Sequence, residues 1–192
     1  VWFLRPYIHG VAATVWDLNS SEGQLLVTTG VAGPAAKMGH RLTIAMTSWQ
    51  ATVRWTKGKP VALDLTVDVD SLQVQSGEGG VKGLSSPEKA LARSNALGVL
   101  DAKHFPHILF GAKDISAVDG GYRLDGTLEI HGVSQERGID LRVEDLGTTW
   151  RMSCDAVVRH SDFGLKPYSM MMGAMKVTDE VTVTFAAERL KA

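Results

Sequence analysis

The sequence contains one cysteine, Cys154, so no disulfide can form within the chain and the fold does not depend on covalent cross-links. It also lacks an excess of basic residues, since 20 Lys and Arg face 21 Asp and Glu and give a formal net charge of −1. Proteins that bind nucleic acid by neutralising phosphates carry such an excess, and we therefore expect no nucleic-acid partner. No apolar run approaches the roughly 20 residues that a membrane-spanning helix requires, so we expect no integral membrane segment.

The chain is long enough for one domain with a substantial core. Its 192 residues, 44% apolar and 21% charged, are typical of a folded globular protein. Because the sequence shows no break in composition and no internal repeat, we predict a single domain over residues 1–192. Residues 1–20 are predicted to be an N-terminal extension or an extra strand. Because Arg5, Pro6 and His9 interrupt the apolar start, the sequence favours the cytoplasm. A leader removed earlier would instead place the protein in the periplasm or outside the cell.

The dominant pattern is alternation of apolar and polar residues, which is typical of a strand with one buried face. Residues 63–70 alternate without interruption, and residues 139–144, 150–156 and 181–185 do the same. Strands of parallel sheets, buried on both faces, read instead as continuous apolar runs, so this alternation indicates an antiparallel sheet. Further strands are predicted over residues 11–18, 24–29, 42–46, 49–56, 108–118 and 122–131, with turns at 57–60, 119–121, 134–136 and 146–148.

One segment breaks the strand pattern. Ser86 with Pro87 is a typical helix start and Gly98 a typical end, so the sequence predicts one helix over residues 87–97. The residues 76–83 before it are rich in glycine and are predicted to form a mobile loop. They lack the Gly-Lys-Ser/Thr ending of a phosphate-binding loop, so we do not interpret them as one. About ten short strands and one helix favour a barrel or a sandwich, and a barrel removes exposed sheet edges.

The sequence shows no convincing catalytic or metal-binding pattern. Residues 160–162 read His-Ser-Asp, but immediate neighbours cannot form a catalytic relay among themselves, and no Gly-x-Ser-x-Gly elbow is present. His104 and His107 have no third ligand nearby. Cys154 shares the apolar face of its predicted strand with Trp150 and Met152 and is interpreted as an inert core cysteine. We therefore predict no enzyme, no metal and no cofactor other than a bound apolar ligand.

A methionine-rich stretch, residues 168–175, lies where a polar loop would be expected. Flexible thioethers suit adaptable apolar binding surfaces, whereas a loop folded over the core would have the same composition. Because a closed sheet offers no mouth along its wall, we expect a ligand to enter at one end of the barrel. We predict that this stretch covers or lines that entrance.

Four stretches resemble elements of the YceI-like family, in the family's order and across about half of the chain. Leu100-Asp-Ala-Lys-His-Phe-Pro-His-Ile-Leu-Phe110 resembles its "FD…P.I.F" element. Gly126-Thr-Leu-Glu-Ile-His-Gly-Val133 resembles its "G.L.I.GV" strand and turn. Arg159-His-Ser-Asp-Phe-Gly164 and Val177-Thr-Asp-Glu-Val181 resemble its "R.DFG" and "DEV" signatures.

This resemblance implies an all-β fold, an antiparallel extended lipocalin-like β-barrel with one inserted α-helix. It also implies a bacterial binding or carrier protein, without catalysis, that holds a polyisoprenoid or similar long apolar lipid in the barrel lumen. Capture of other hydrophobic small molecules, such as fatty amides or drugs, and a structural barrel without ligand remain alternatives. Whether the chain forms a homodimer stays open. The alternation and the resemblance together predict these ligand-binding residues: Phe110, Leu124, Leu128, Ile130, Trp150, Met152, Cys154, Ala156 and Phe163. The methionine-rich stretch adds Met170, Met171, Met172 and Met175.

Overall fold

The computed structural model describes residues 13–191, and these form one antiparallel sheet and one α-helix. The predicted all-β architecture with an inserted helix is therefore confirmed. The helix, α1, spans Ser86–Leu100. The strands in chain order are β1 (Thr14–Asn19), β2 (Gly23–Ala32), β3 (His40–Met46), β4 (Trp49–Thr56), β5 (Lys59–Asp68), β6 (Leu72–Gly79), β7 (His107–Val118), β8 (Gly121–Ile130), β9 (Val133–Asp145), β10 (Thr149–Arg159), β11 (Ser169–Met170) and β12 (Met175–Leu190).

One long, bent hairpin curls the sheet into a barrel. One arm of this hairpin is β3 followed by β4, and the other is β5 followed by β6. Its hydrogen-bonded order is β1-β4-β5-β7-β8-β9-β10-β12-β2-β3-β6, with the short β11 attached to β12. Only Thr47 and Ser48 separate β3 from β4, and only a 3₁₀ turn separates β5 from β6. The Thr47 N–H donates to the Ser71 carbonyl and the Asp68 N–H donates to the Ser48 carbonyl, so the hairpin stays paired across its bend. The hairpin therefore connects the two ends of the strand order, with β4 and β5 near one end and β3 and β6 at the other.

The first strand is an addition to the edge of β4. Thr14 pairs with Trp55 and Asn19 with Gln50, and Leu18 is buried in the core. The predicted strand over residues 11–18 falls partly on residues 11 and 12, which lie outside the described residues.

The helix α1 is longer than predicted at both ends. Ser85, not Ser86, is its N-cap: the Ser85 hydroxyl accepts from the Glu88 N–H, and the Glu88 carboxylate accepts from the Ser85 N–H at 2.7 Å. This reciprocal capping box satisfies two N-terminal donors. At the other end the helix continues through Gly98 to Leu100, because the chain reverses only at Asp101, whose φ is +48°.

Two predicted loops belong to strands instead. Ser76–Gly79, predicted as the start of a mobile loop, continue β6 and pair with His40–Thr43 of β3. Ser134–Glu136, predicted as a turn, lie inside β9. The turn before β9 is made by His131 and Gly132, which both have positive φ, 54° and 71°. A positive φ at both residues suits the tight two-residue hairpin that fixes the β8–β9 register.

The core is divided into three clusters rather than one. The largest surrounds Trp49, Met46 and Leu72 and includes the inner face of α1. A second is centred on Ala112, and a third on the fully buried Phe163. Partly buried residues join the clusters, since Leu65 packs against the first and second and Leu128 against the second and third.

Candidate functional site

A cavity of about 830 Å³ lies inside the barrel, and most of the side chains that line it are apolar. Small-molecule sites typically occupy about 300–1,000 Å³, so the cavity is large enough for a ligand. Many of the predicted ligand-binding residues line it, from β7, β8, β10, the turn after β10 and the methionine stretch: Phe110, Leu124, Leu128, Ile130, Met152, Cys154, Ala156, Phe163, Met170 and Met175.

Three predicted residues do not line the cavity. Trp150 shares the inward face of β10 with Met152, but it lies at the start of the strand, where the Lys191 ammonium is 4.1 Å from its ring centroid. Met171 and Met172 form a turn with φ of 53° at each, which lifts both side chains into solvent. These three positions are therefore absent from the cavity lining and their part in ligand binding stays a prediction, whereas the two ends of the methionine stretch reach the cavity.

The sequence pattern did not single out the remaining lining, although a signal was present. Residues 63–70 and 181–185 alternate clearly, and their apolar members face the same lumen as those of β10. The inner face of α1 had no such signal. The additional apolar lining residues include Leu25, Val27, Val31, Leu42, Ile44, Val53, Leu63, Leu65, Val67, Val183 and Phe185 from the strands, and Leu91, Ala92, Ala96 and Val99 from α1.

A paired charge lies at the edge of the lumen. Arg137 of β9 lines the cavity, and its guanidinium donates a short hydrogen bond to the Asp162 carboxylate. The Gln135 amide donates to the Asp162 carbonyl at 2.8 Å. These bonds dock the 3₁₀ turn His160–Phe163 onto the start of β9 and bury Phe163 beneath it. The contacts fix this turn and offset the charge of Arg137.

The Cys154 thiol, which lines the cavity, is not activated as a nucleophile. Burial raises the pKa of the Cys154 thiol to about 11, and the negative charge of Asp155 acts in the same direction. The thiol is therefore protonated at neutral pH and presents a small, polarisable surface to the lumen.

The His-Ser-Asp stretch is held by structural contacts. The Ser161 hydroxyl donates to the Asp179 carboxylate at 2.6 Å, and His160 Nδ1 lies 2.8 Å from the Asp179 carbonyl. The bonds from the Ser161 hydroxyl and N–H lower the pKa of Asp179. Across residues 13–191, no three His, Cys, Asp or Glu side chains come together as a metal site requires.

The barrel wall is incomplete where β9 meets β10. The two strands pair only from Trp150↔Asp145 to Ser153↔Arg142, whereas β10 pairs with β12 along its whole length. β9 is unpaired on this side over residues 133–141 and β10 over residues 154–159. We call the part of this unpaired stretch that touches the cavity, residues 137–141 of β9 and 154–159 of β10, the β9–β10 seam; it includes residues that face outward.

A second interruption, at the outer edge of β6, is closed by α1. This edge has no strand partner within residues 13–191. Arg93 of α1 donates to the Leu72 carbonyl at 2.8 Å and to the Asp70 carbonyl at 2.6 Å, and Lys89 donates to the Gln75 carbonyl at 2.7 Å. We call this arrangement the α1 seal.

A curled antiparallel barrel with an apolar lumen and one sealing helix is the geometry that the resemblance implied. The model of the YceI-like domain matches residues 16–189. The chain belongs to the YceI-like family. Two solved structures place the YceI-like barrel among known folds. BcnA from Burkholderia cenocepacia is 18% identical, with a TM-score of 0.66 over 88% of this chain and 98% of that one. The YceI protein from Campylobacter jejuni is 14% identical, with a TM-score of 0.51 over 100% of this chain and 91% of that one.

These identities are low, so the likeness establishes the fold alone. A comparison with curated proteins gives no significant match to this YceI-like chain. In residues 13–191, no helix has both the length and the hydrophobicity needed to cross a bilayer.

Proposed function

We propose that this protein is a non-catalytic carrier that holds a polyisoprenoid or a similar long apolar lipid in its barrel. The observation that carries the proposal is the cavity of about 830 Å³ with its apolar lining. Membership of the YceI-like family supports the same class of ligand. Arg137, one of the charged residues that line the cavity, is paired with Asp162, so it does not call for an opposite charge on the ligand.

The energy of apolar contact sets a minimum ligand length. Burial of each methylene is worth about 0.8 kcal/mol, whereas association costs about 4–15 kcal/mol. A ligand held mainly by apolar contacts therefore needs about a dozen carbons or more to bind. We expect affinity to rise with prenyl chain length until the cavity is full, and then to level off.

Analysis of the naturally bound molecule tests the proposal directly. Protein purified under native conditions is extracted with organic solvent, and the extract is examined by mass spectrometry. We expect a stoichiometric lipid with a prenyl repeat. A stoichiometric fatty amide or other small hydrophobic molecule would favour the alternative ligand class. An empty protein that also fails to bind prenyl probes of every length would contradict the proposal and favour a structural barrel.

Filling the cavity tests the location of the ligand. Ala156 lines the cavity on β10, so Ala156→Trp puts an indole where the ligand chain would lie. We expect it to weaken binding of a fluorescent polyprenyl probe about tenfold or more, since several methylenes lose their contacts. The matched control is Ala117→Trp, at an exposed position of β7 outside the lining. Equal affinity of the two variants, with both folded by thermal unfolding, would place the ligand elsewhere.

A further inference from the structure

We propose that the apolar chain enters and leaves the lumen sideways, through the β9–β10 seam, rather than through the methionine-rich end of the barrel. This inference rests on the proposed function, because it assigns a route to the same ligand. It also differs from the expectation from sequence, which assumed a wall without gaps.

The ladder pattern locates the opening. The β8–β9 ladder runs from Gly121↔Arg142 to Ile130↔Val133, so β9 is paired along one side. On its other side, β9 pairs with β10 only up to Ser153↔Arg142, and no ladder pair or backbone hydrogen bond joins the two strands beyond that point in residues 13–191. The wall between two otherwise well-paired strands is therefore interrupted.

The cavity lining indicates that this interruption is open. A side chain on an intact wall touches the lumen only if it faces inward, so lining residues should alternate. On β9 and β10 the lining instead includes outward-facing residues such as Asp140, Asp155 and Val157. The β2–β3 ladder is a useful contrast, because it has only three pairs, yet β2 contributes only alternate residues to the lining. A short ladder alone does not open the wall, but the seam does.

The side chains at the seam disfavour continued pairing. If the β9–β10 register continued, Asp155 would lie opposite Asp140, and like charges in that position destabilise a ladder. Each carboxylate is instead held on its own side of the gap. Arg123 of β8 donates to Asp140 at 3.0 Å, and Thr184 of β12 donates to Asp155 at 2.6 Å. These bonds stabilise the two strands apart from each other.

The rim of the seam suits an apolar chain. Val157 is 57% exposed on the outer face of β10, next to the opening. In a continued register it would face Gly138, over which the Arg123 guanidinium of β8 lies. The alternative entrance is the methionine stretch, where Met170 and Met175 line the cavity and Met172 is fully exposed. Val157 lies on β10 in the seam and Met172 lies in the turn between β11 and β12, so labels at these two positions test the two routes.

Bulky labels distinguish the routes. Val157→Cys and Met172→Cys are made in a Cys154→Ala background, and each is modified with a polyethylene-glycol maleimide. Loading of a fluorescent polyprenyl probe is followed by stopped flow, with the unlabelled background protein as the reference. We expect the label at Val157 to slow loading by about tenfold, and the label at Met172 to leave it within about twofold, because only the first obstructs the route.

A reversible clamp provides a second, independent measurement. Asp140→Cys with Asp155→Cys places two thiols across the seam, two residues beyond the last observed pair, Ser153↔Arg142. The control, Glu144→Cys with Arg151→Cys, cross-links positions that are already paired. We expect oxidation of the first pair to slow probe loading and reduction to restore it, with no effect of oxidation in the control pair. If the first pair does not oxidise, the Val157 label decides.

The outcomes separate the route from the function. Normal equilibrium binding with loading unchanged by the Val157 label would overturn the seam, as would equal slowing by both labels or slowing by the Met172 label alone. Failure of every protein, including the unlabelled reference, to bind the probe would overturn the proposed function and the route with it.

Discussion

The barrel wall is interrupted at the outer edge of β6 and at the β9–β10 seam, and the two interruptions are treated in opposite ways. At β6, Arg93 and Lys89 of α1 donate to carbonyls of the unpaired edge, and the inner face of α1 packs on the core beneath. At the seam, Asp140 and Asp155 are each bonded to the neighbouring strand on their own side. The first interruption is closed by basic side chains, whereas the second is kept apart by acidic ones.

The difference separates a stabilising element from an opening. Unsatisfied backbone groups at a sheet edge are costly when buried and promote unwanted pairing when exposed, so an edge over the core needs a cover. Regions with few backbone hydrogen bonds open at low free energy. We therefore expect substitutions in the α1 seal to change global stability, and substitutions in the seam to change ligand exchange.

The largest effect is expected from the seal. Arg93→Ala leaves the Leu72 and Asp70 carbonyls without their charged donor, and a hydrogen bond to a charged group is worth about 1.5–3 kcal/mol. We expect the free energy of unfolding, measured in urea by tryptophan fluorescence, to fall by about 2 kcal/mol. The matched control is Arg41→Ala, which removes an exposed pair with Glu78 and should cost at most about 0.5 kcal/mol. Equal losses in both variants would mean that α1 does not seal the edge.

The sequence predicted the architecture well because alternation survives in almost every strand. The alternation of residues 63–70 and 181–185 indicates which face is buried, and the turns predicted at 57–60, 119–121 and 146–148 fall at strand ends. The alternation pattern did not predict a strand where glycines interrupt the series of apolar and polar side chains. Ser76–Gly79 contain two glycines and read as a loop, yet they are strand because His40–Thr43, distant in sequence, pair with them. Such long-range pairing is not encoded locally.

A smaller effect is expected from the start of α1. Ser85→Ala removes the N-cap hydroxyl, and such losses typically cost about 1 kcal/mol. Hydrogen bonds from Ser85 lower the pKa of Glu88 below its usual 4.5, so the folded state gains from an ionised Glu88 above that pH and loses this gain as the pH falls through the lowered pKa. We therefore expect the stability difference between parent and variant, measured by urea unfolding, to shrink on acidification below about pH 4.5.

The control for the helix cap is Ser116→Ala, at an exposed position of β7. It should leave both the stability and its pH dependence unchanged, because it removes a hydroxyl from the open face of a strand. A difference between parent and Ser85→Ala that is the same at pH 7 and at pH 3 would contradict the coupling between Ser85 and Glu88.

The candidate site was only partly predictable from the sequence. Alternation assigns Met152, Cys154 and Ala156 to one face whether or not the strand is paired, so it indicates lining residues but does not reveal the seam. Hydrophobicity also predicted that Met171 and Met172 cover or line the entrance, and the turn they form exposes both side chains to solvent. Backbone conformation, not composition, decides the direction of a side chain in a turn.

The smallest effect on stability, and the most specific test of the seam, is expected from a charge reversal. Asp155→Lys replaces the like-charge opposition to Asp140 with an attraction and removes the bond from Thr184 that holds β10 away. Opposite charges across a ladder contribute about 0.2–1 kcal/mol, so we expect stability to rise by about 0.5 kcal/mol. Probe release should slow by about twofold, because the closed seam gains that free energy.

Asp114→Lys is the matched control, since Asp114 lies opposite Asp125 in the β7–β8 ladder. That ladder shifts register at this point but continues on both sides, so a like-charge pair within it does not open the wall. The control should therefore gain similar stability in urea unfolding while leaving probe release unchanged, because no opening lies between β7 and β8. If both reversals slow release equally, the effect is one of general stability. If neither does, the carboxylates do not keep the seam apart and its width must come from the docking of His160–Phe163 on β9.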